Sequence, residues 1–333
     1  MEAKMSQKRI GFAVGALLAF SLVLFSSSCQ KLSVNKLQAN YHFSKANQLF
    51  KDGKFRKAIT EYENTLKYNP EAVDAYRFLG ESYKSLFKPG NTSPENMETA
   101  AKALDAFQKA YEVTPTSKEV IFSLGDMYDK LRNIEQAEKY YLMILDLEPE
   151  NMGNYYVVAE FYKRYASENE SLKAKAESMY LRRIELDPDN PQGYAYMANY
   201  YDQTTPVPDF DKAVEFHYLR GKLDPNNAEV YYSVGVNRFY KAYRLQNVLS
   251  TMERNQLGDE SIKALMKAVE INPNYPEPYA YLNLVNRNVF AKIFPDKEAR
   301  YIAEADRWTE KFQEVRKRAI EKEKLEKELK KTG

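Results

Sequence analysis

The chain is poor in the residues that carry out chemistry. Its 333 residues include one cysteine, Cys29, so no disulfide can form within the chain, and only two histidines, His42 and His217. A metal or acid–base centre draws on convergent His, Cys, Asp or Glu side chains, and neither histidine has a companion at ligand spacing. Glycine is scarce, at 12 residues, and the chain contains no G-x-x-x-x-G-K-[ST] phosphate loop, strand-borne G-x-G-x-x-G or G-x-S-x-G elbow. A surplus of positive charge is missing too: 49 Lys and Arg stand against 47 Asp and Glu. That balance argues against nucleic acid as the partner, because such binders use a net basic face to displace counterions. Acidic residues are plentiful but alternate with lysine, as on solvated helix faces. These absences predict no enzyme, no metal and no small-molecule cofactor.

Sustained strand alternation is also lacking. What recurs is proline. Pro70, Pro115, Pro149, Pro188, Pro225 and Pro273 each close a run with an apolar residue two places earlier, as in Leu147-Glu148-Pro149 and Leu186-Asp187-Pro188. Pro115 and Pro149 lie 34 residues apart, and the other intervals are longer, so a fixed unit carries variable insertions. Proline inside a helix costs roughly 3 kcal/mol and pushes the residue before it out of the helical region. Each of the six therefore predicts the end of a second helix, with the next helix starting a few residues on.

Small residues recur in register with large ones. The first helices carry Ala46, Gly80, Gly125, Ala159, Ala198 and Gly235, and the second helices carry Ala58, Ala103, Ala137, Ala176 and Ala213. Four residues after the latter come Tyr62, Phe107, Tyr141, Tyr180 and His217. A small residue lets a neighbouring backbone approach, and a large ring fills the groove beside it. The third unit, with Ile121, Leu124-Gly125, Tyr128, Ala137, Tyr141 and Pro149, resembles the tetratricopeptide repeat, Ile121 standing where that motif has tryptophan. The resemblance runs over residues 39–312. The sixth unit departs from it with Ser261 and Leu265, and the seventh has no closing proline. The resemblance implies an all-α, right-handed superhelical solenoid of about seven helix-turn-helix repeats. It also implies a concave groove, lined by the first helices, that holds a peptide or protein surface.

At the N-terminus, Lys4, Lys8 and Arg9 precede an apolar stretch from Ile10 to Phe25, followed by Ser26-Ser27-Ser28-Cys29. That stretch is shorter than the roughly 20 residues of a comfortable membrane span and has the anatomy of a signal peptide. The segment around Cys29 resembles a bacterial lipobox, with Ser26 where leucine is usual. The resemblance implies cleavage before Cys29 and acylation of its thiol, and Gln30 resembles the residue that follows in lipoproteins sent to an outer membrane. A retained anchor, or ordinary cleavage leaving a free thiol, are the alternatives. The expected organisation is a signal peptide over 1–28, a lipidated tether over 29–38, the repeat array over 39–312 and a charged helical extension over 313–333. Removing residues 1–28 leaves equal numbers of basic and acidic side chains.

Insertions fall at Lys88–Pro94 and Thr204–Pro208, both rich in turn formers, and between Lys241 and Gln256, where few breakers predict longer helices. Tyrosine is abundant, at 27 residues. By helical phase the groove face of the first helices offers Phe43, Asn47 and Phe50, then Phe122, Asp126 and Asp129, then Tyr156, Glu160 and Lys163, and finally Tyr232, Val236, Phe239 and Tyr240. Aromatic rings with a few polar groups suit protein recognition. Groove sites that grip a terminal carboxylate resemble a clamp of Lys, Arg and Asn. Asn47 fits such a clamp, but Phe43, Phe78, Glu119 and Ser123 do not, so none is expected. The expectation is a membrane-anchored scaffold on the periplasmic face of an outer membrane, holding a protein or peptide. The alternative is a binder of glycan or peptidoglycan fragments that uses tyrosines as stacking platforms.

Overall fold

The computed structural model describes residues 34–203 and 208–332, so the signal segment, Cys29 and most of the Thr204–Pro208 insertion lie outside the described residues. Every regular element in the described residues is helical. Helix α1 spans 34–51. It is followed by α2 (Phe55–Tyr68), α3 (Val73–Leu86), α4 (Pro94–Val113), α5 (Lys118–Lys130) and α6 (Ile134–Leu147). Then come α7 (Met152–Tyr165), α8 (Glu170–Leu186), α9 (Pro191–Gln203), α10 (Phe210–Leu223), α11 (Ala228–Arg244) and α12 (Thr251–Ile271). The last elements are α13 (Glu277–Val285), a π-helical turn (Asn286–Phe290), α14 (Ala291–Ile293), a 3-10 turn (Pro295–Lys297) and α15 (Glu298–Thr332).

The recurring prolines end helices as their chemistry requires. The residue before each one is a helix C-cap with extended φ: Asn69 at −138°, Thr114 at −138°, Glu148 at −138°, Asp187 at −143°, Asp224 at −135° and Asn272 at −135°. Starts are equally local. Side chains of Ser93, Ser117, Asn133, Asn151, Asn169, Asp209 and Asn227 accept from the first free backbone amides, and Ser250 forms a capping box with Glu253. Such caps are worth about 1 kcal/mol each.

The described residues form two compact units, divided between Pro149 and Glu150. In the first, α1 packs with α2, α3 with α4 and α5 with α6, while α2 meets α3 and α4 meets α5. In the second, the pairs are α7 with α8, α9 with α10, α11 with α12 and α13 with α15, and each pair touches the next. This is the helix-pair architecture of a solenoid, built because no single hairpin can bury its own apolar side.

The small-and-large pairing sets how closely the helices approach. A Cβ on Gly80 would lie 2.5 Å from the Phe107 ring, one on Gly125 3.0 Å from Tyr141, and one on Gly235 2.6 Å from Leu265. The sixth unit, which departs in sequence, keeps the same device. Leu265 replaces the ring, and Ser261 Oγ donates 2.7 Å to the carbonyl of Gly235 in the buried interface. Between Lys241 and Gln256 the helices lengthen only in part, because the chain breaks between Arg244 and Thr251, where Ser250 starts the next helix. At the C-terminus, α15 runs unbroken across residues 312 and 313, with Val315 buried and the residues beyond it exposed.

Candidate functional site

The groove-facing residues fall into one cluster or more within each unit. In the first, Phe43 and Phe50 on α1 converge with Phe78 on α3, with ring centroids 6.3 and 5.6 Å apart, and Tyr62 from α2 stacks on Phe78 at 6.0 Å. The Arg77 guanidinium lies 4.1 Å over the Phe78 ring. Asn47 sits among these rings, its Oδ1 accepting 2.7 Å from the Tyr62 hydroxyl. Phe43, Asn47 and Phe50 are all half-buried, over a base in which Tyr62 is fully buried.

Farther along the same unit the groove face turns polar. Lys84 on α3 donates 2.8 Å to Glu81 and 2.8 Å to Asp126 on α5, and Lys130 donates 3.0 Å to Asp126. Ser123 Oγ donates 2.7 Å to Glu81. Burial alone would raise the Asp126 carboxyl. The hydrogen-bonded Lys84 ammonium, with Lys130 behind it, outweighs burial and holds the carboxyl below its ordinary value. Phe122, one turn before Asp126, is exposed, and its ring lies 6.0 Å from that of Tyr141. Asp129, expected on this face, is instead buried.

In the second unit Tyr156 on α7 stacks on Tyr196 of α9 at 4.2 Å, and Arg183 lies 4.6 Å over Tyr196. Glu160, one turn after Tyr156, accepts from Lys163 at 2.9 Å and from the buried Tyr180 hydroxyl of α8. Burial first, and then the bond to Glu160, push the Tyr180 hydroxyl well above the usual tyrosine range, so it stays protonated and donates. Tyr180 thus repeats what Tyr62 does for Asn47: the second helix reaches through the pair and fixes the polar groove residue of the first. Nearby, burial raises the Asp202 carboxyl on α9 to about 6, against smaller opposing effects of a hydrogen bond with Asn237 and the charge of Lys163.

On α11 the expectation holds for position but not for access throughout. Tyr232 is half-buried beside Tyr275 and Tyr281, at 5.2 and 5.6 Å, and Val236 is half-buried too. Phe239 is a correction. It is 2% exposed, because α13 packs against α11 and the rings of Tyr281 and Tyr243 close over it at 5.7 and 5.6 Å. Sequence reasoning missed the partners Glu81, Lys84, Tyr196 and Asp202. The repeat register was the signal that could have found them, since each sits on a first helix near the phase of the residues chosen.

No group of three or more His, Cys, Asp or Glu side chains that could hold a metal occurs among the described residues, and none of their helices is long and apolar enough to cross a membrane. His42 bonds Glu61 at 2.7 Å in the first unit, and His217 is buried within the second.

Residues 43–83 and 119–151 match family models described as tetratricopeptide repeat. No curated protein matches the sequence. Among solved structures, the C-terminal part of a TPR repeat-containing protein from Cytophaga hutchinsonii aligns at a TM-score of 0.55 and 13% identity, covering 82% of this chain and 95% of that one. PilF of Pseudomonas aeruginosa aligns at 0.42 and 14%, covering 73% and 96%. MamA from Desulfovibrio magneticus aligns at 0.42 and 13%, covering 56% and 96%. The first of these structures shares the helix-pair fold, and together with the spaced small residues and the proline-closed hairpins the two matched segments lead to one conclusion: residues 43–83 and 119–151 are tetratricopeptide repeats, set in an array of helix pairs.

Proposed function

We propose that this protein is a lipid-anchored scaffold that holds a protein or peptide segment against the faces of its first helices, without bond chemistry of its own. The observation that carries the reading is that these faces alternate half-buried aromatic rings with fixed polar groups. Phe43, Phe50 and Phe78 surround Asn47, and Tyr156 and Tyr196 stand beside Glu160. Aromatic rings supply contact area at low rotamer cost, and polar groups already held in place supply direction. The partner is a polypeptide rather than a glycan, because Tyr196 is already engaged by the stacked Tyr156 ring and by the Arg183 guanidinium 4.6 Å over it, which leaves it no platform for a sugar ring.

The anchor rests on the sequence around Cys29. Acylation there tethers the array through a short segment to the periplasmic face of the outer membrane of a two-membrane bacterium, in a role in envelope assembly. Several acyl chains hold a protein firmly, since each buried methylene contributes about 0.8 kcal/mol. A photo-crosslinking side chain placed at Phe122 in the first unit or, separately, at Tyr156 in the second, irradiated in cells and followed by mass spectrometry, should in each case trap a polypeptide. The same group at the exposed Asp105 should not. Equal yields from all three positions would refute the groove.

A further inference from the structure

A repeat array needs a polar surface at each end, because the outer side of a terminal helix has no neighbouring repeat to cover it. The two ends of this chain differ. At the C-terminal end α15 packs its Trp308, Phe312 and Val315 against the last repeat and turns a charged face outward. At the N-terminal end α1 presents Val34, Leu37 and Tyr41, exposed by 49%, 67% and 63%. At about 100° per residue these three share one side of the helix, away from Ala39 and Ala46, which pack inward, and away from Phe43, Asn47 and Phe50 on the groove side.

Large apolar side chains on a terminal face call for a partner, and the chain outside the described residues indicates which. Only Gln30, Lys31, Leu32 and Ser33 separate Val34 from Cys29. At most about 3.5 Å per residue, Val34 stays within roughly 17 Å of an acylated Cys29 thiol at the membrane surface. A helix held that close, carrying valine, leucine and an amphipathic tyrosine on one side, with the exposed Lys45 one turn on from Tyr41, has the composition of a segment lying in the interface of a bilayer. We propose that the Val34, Leu37 and Tyr41 face of α1 lies in the headgroup layer of the membrane that carries the anchor. This rests on the lipid-anchor reading given above. Contact on this side of α1 fixes the orientation of the first unit and leaves Phe43, Asn47 and Phe50 open to a partner.

The test uses the full-length lipidated protein in vesicles of phosphatidylethanolamine and phosphatidylglycerol containing a brominated phospholipid. With Trp308, the sole tryptophan, replaced as Trp308→Phe, a reporter is introduced as Tyr41→Trp, or as Leu142→Trp at another exposed apolar position of the same unit. The expected result is quenching of the Tyr41→Trp reporter at least twofold greater than that of Leu142→Trp, with a blue-shifted emission. Protein that floats with the vesicles but shows no quenching at Tyr41→Trp overturns the docking and leaves the anchor standing. Protein that stays in the soluble fraction overturns both. Equal quenching at the two positions overturns the docking, as does a blue shift that follows protein concentration without quenching, which would assign the face to a second copy of the chain.

Discussion

Replacing His217 with phenylalanine should stabilise the protein and remove most of a defined acid sensitivity. His217 takes the position held by the rings of Tyr62, Phe107, Tyr141 and Tyr180 in four other second helices, is 2% exposed, and has no hydrogen-bond partner for either ring nitrogen among the described residues. Burial, and then the charge of Arg220, push its pKa from the ordinary 6.5 down to about 4. The folded pKa lies below the unfolded one, so the unfolded chain takes up the proton first as pH falls. Stability is therefore whole above about pH 6.5 and is lost between there and about pH 4. At 1.36 kcal/mol per unit of pKa the full loss is on the order of 3 kcal/mol, with roughly 2 kcal/mol gone by pH 5. At neutral pH the penalty that remains is the unpaired ring nitrogens, about 1–3 kcal/mol. Urea unfolding followed by circular dichroism at pH 7.5 and pH 5 checks both terms. His217→Phe should raise the stability of the second unit at pH 7.5, and its advantage over the natural chain should widen at pH 5 by about 2 kcal/mol. If the two chains lose stability in parallel over that interval, His217 is not buried neutral and the reasoning fails.

Gly80→Ala should cost about 1–3 kcal/mol, because the new methyl would meet the Phe107 ring at 2.5 Å. Adding Phe107→Leu should recover part of that loss in thermal melts, and a neutral Gly80→Ala would contradict the packing. Lys84→Met leaves Glu81 and Asp126 without their shared cation. It should destabilise the first unit by roughly 1.5–3 kcal/mol in urea titrations at pH 7. The loss should shrink as the medium is acidified and the carboxylates are neutralised, and a pH-independent loss would point to packing alone. Tyr180→Phe leaves Glu160 held by Lys163 without the Tyr180 hydroxyl and should cost about 1 kcal/mol. It should also weaken crosslinking from Tyr156 more than the stability loss explains, and unchanged crosslinking would deny Glu160 a fixed role.

The parts of the fold readable in the sequence are those governed by short-range chemistry. Asn69, Thr114, Glu148, Asp187, Asp224 and Asn272 could be named as helix ends because the following proline dictates their backbone. Gly80 and Gly125 could be named as contact points because a Cβ there would crowd the rings of Phe107 and Tyr141. The groove was readable only as a helix phase. Whether a residue on that phase is open depends on the next repeat, and for Phe239 the ring of Tyr281 decides it. The bridge from Lys84 to Asp126 and the stack of Tyr156 on Tyr196 join residues 42 and 40 positions apart. Such pairings follow from the stacking geometry rather than from local pattern. The π-helical turn at Asn286–Phe290 carried no sequence signal, although Asn286 Nδ2 donates 2.8 Å to the Leu282 carbonyl there.

The reach of Tyr62 to Asn47 and of Tyr180 to Glu160 has an evolutionary consequence. At these two places the outward-facing residue is tied to one hidden behind it, so the surface cannot change polarity unless the interior changes too. Where the hidden ring gives way to Leu265, the corresponding outward residue is Val236. New specificities would thus arise by coupled steps, two substitutions at a time.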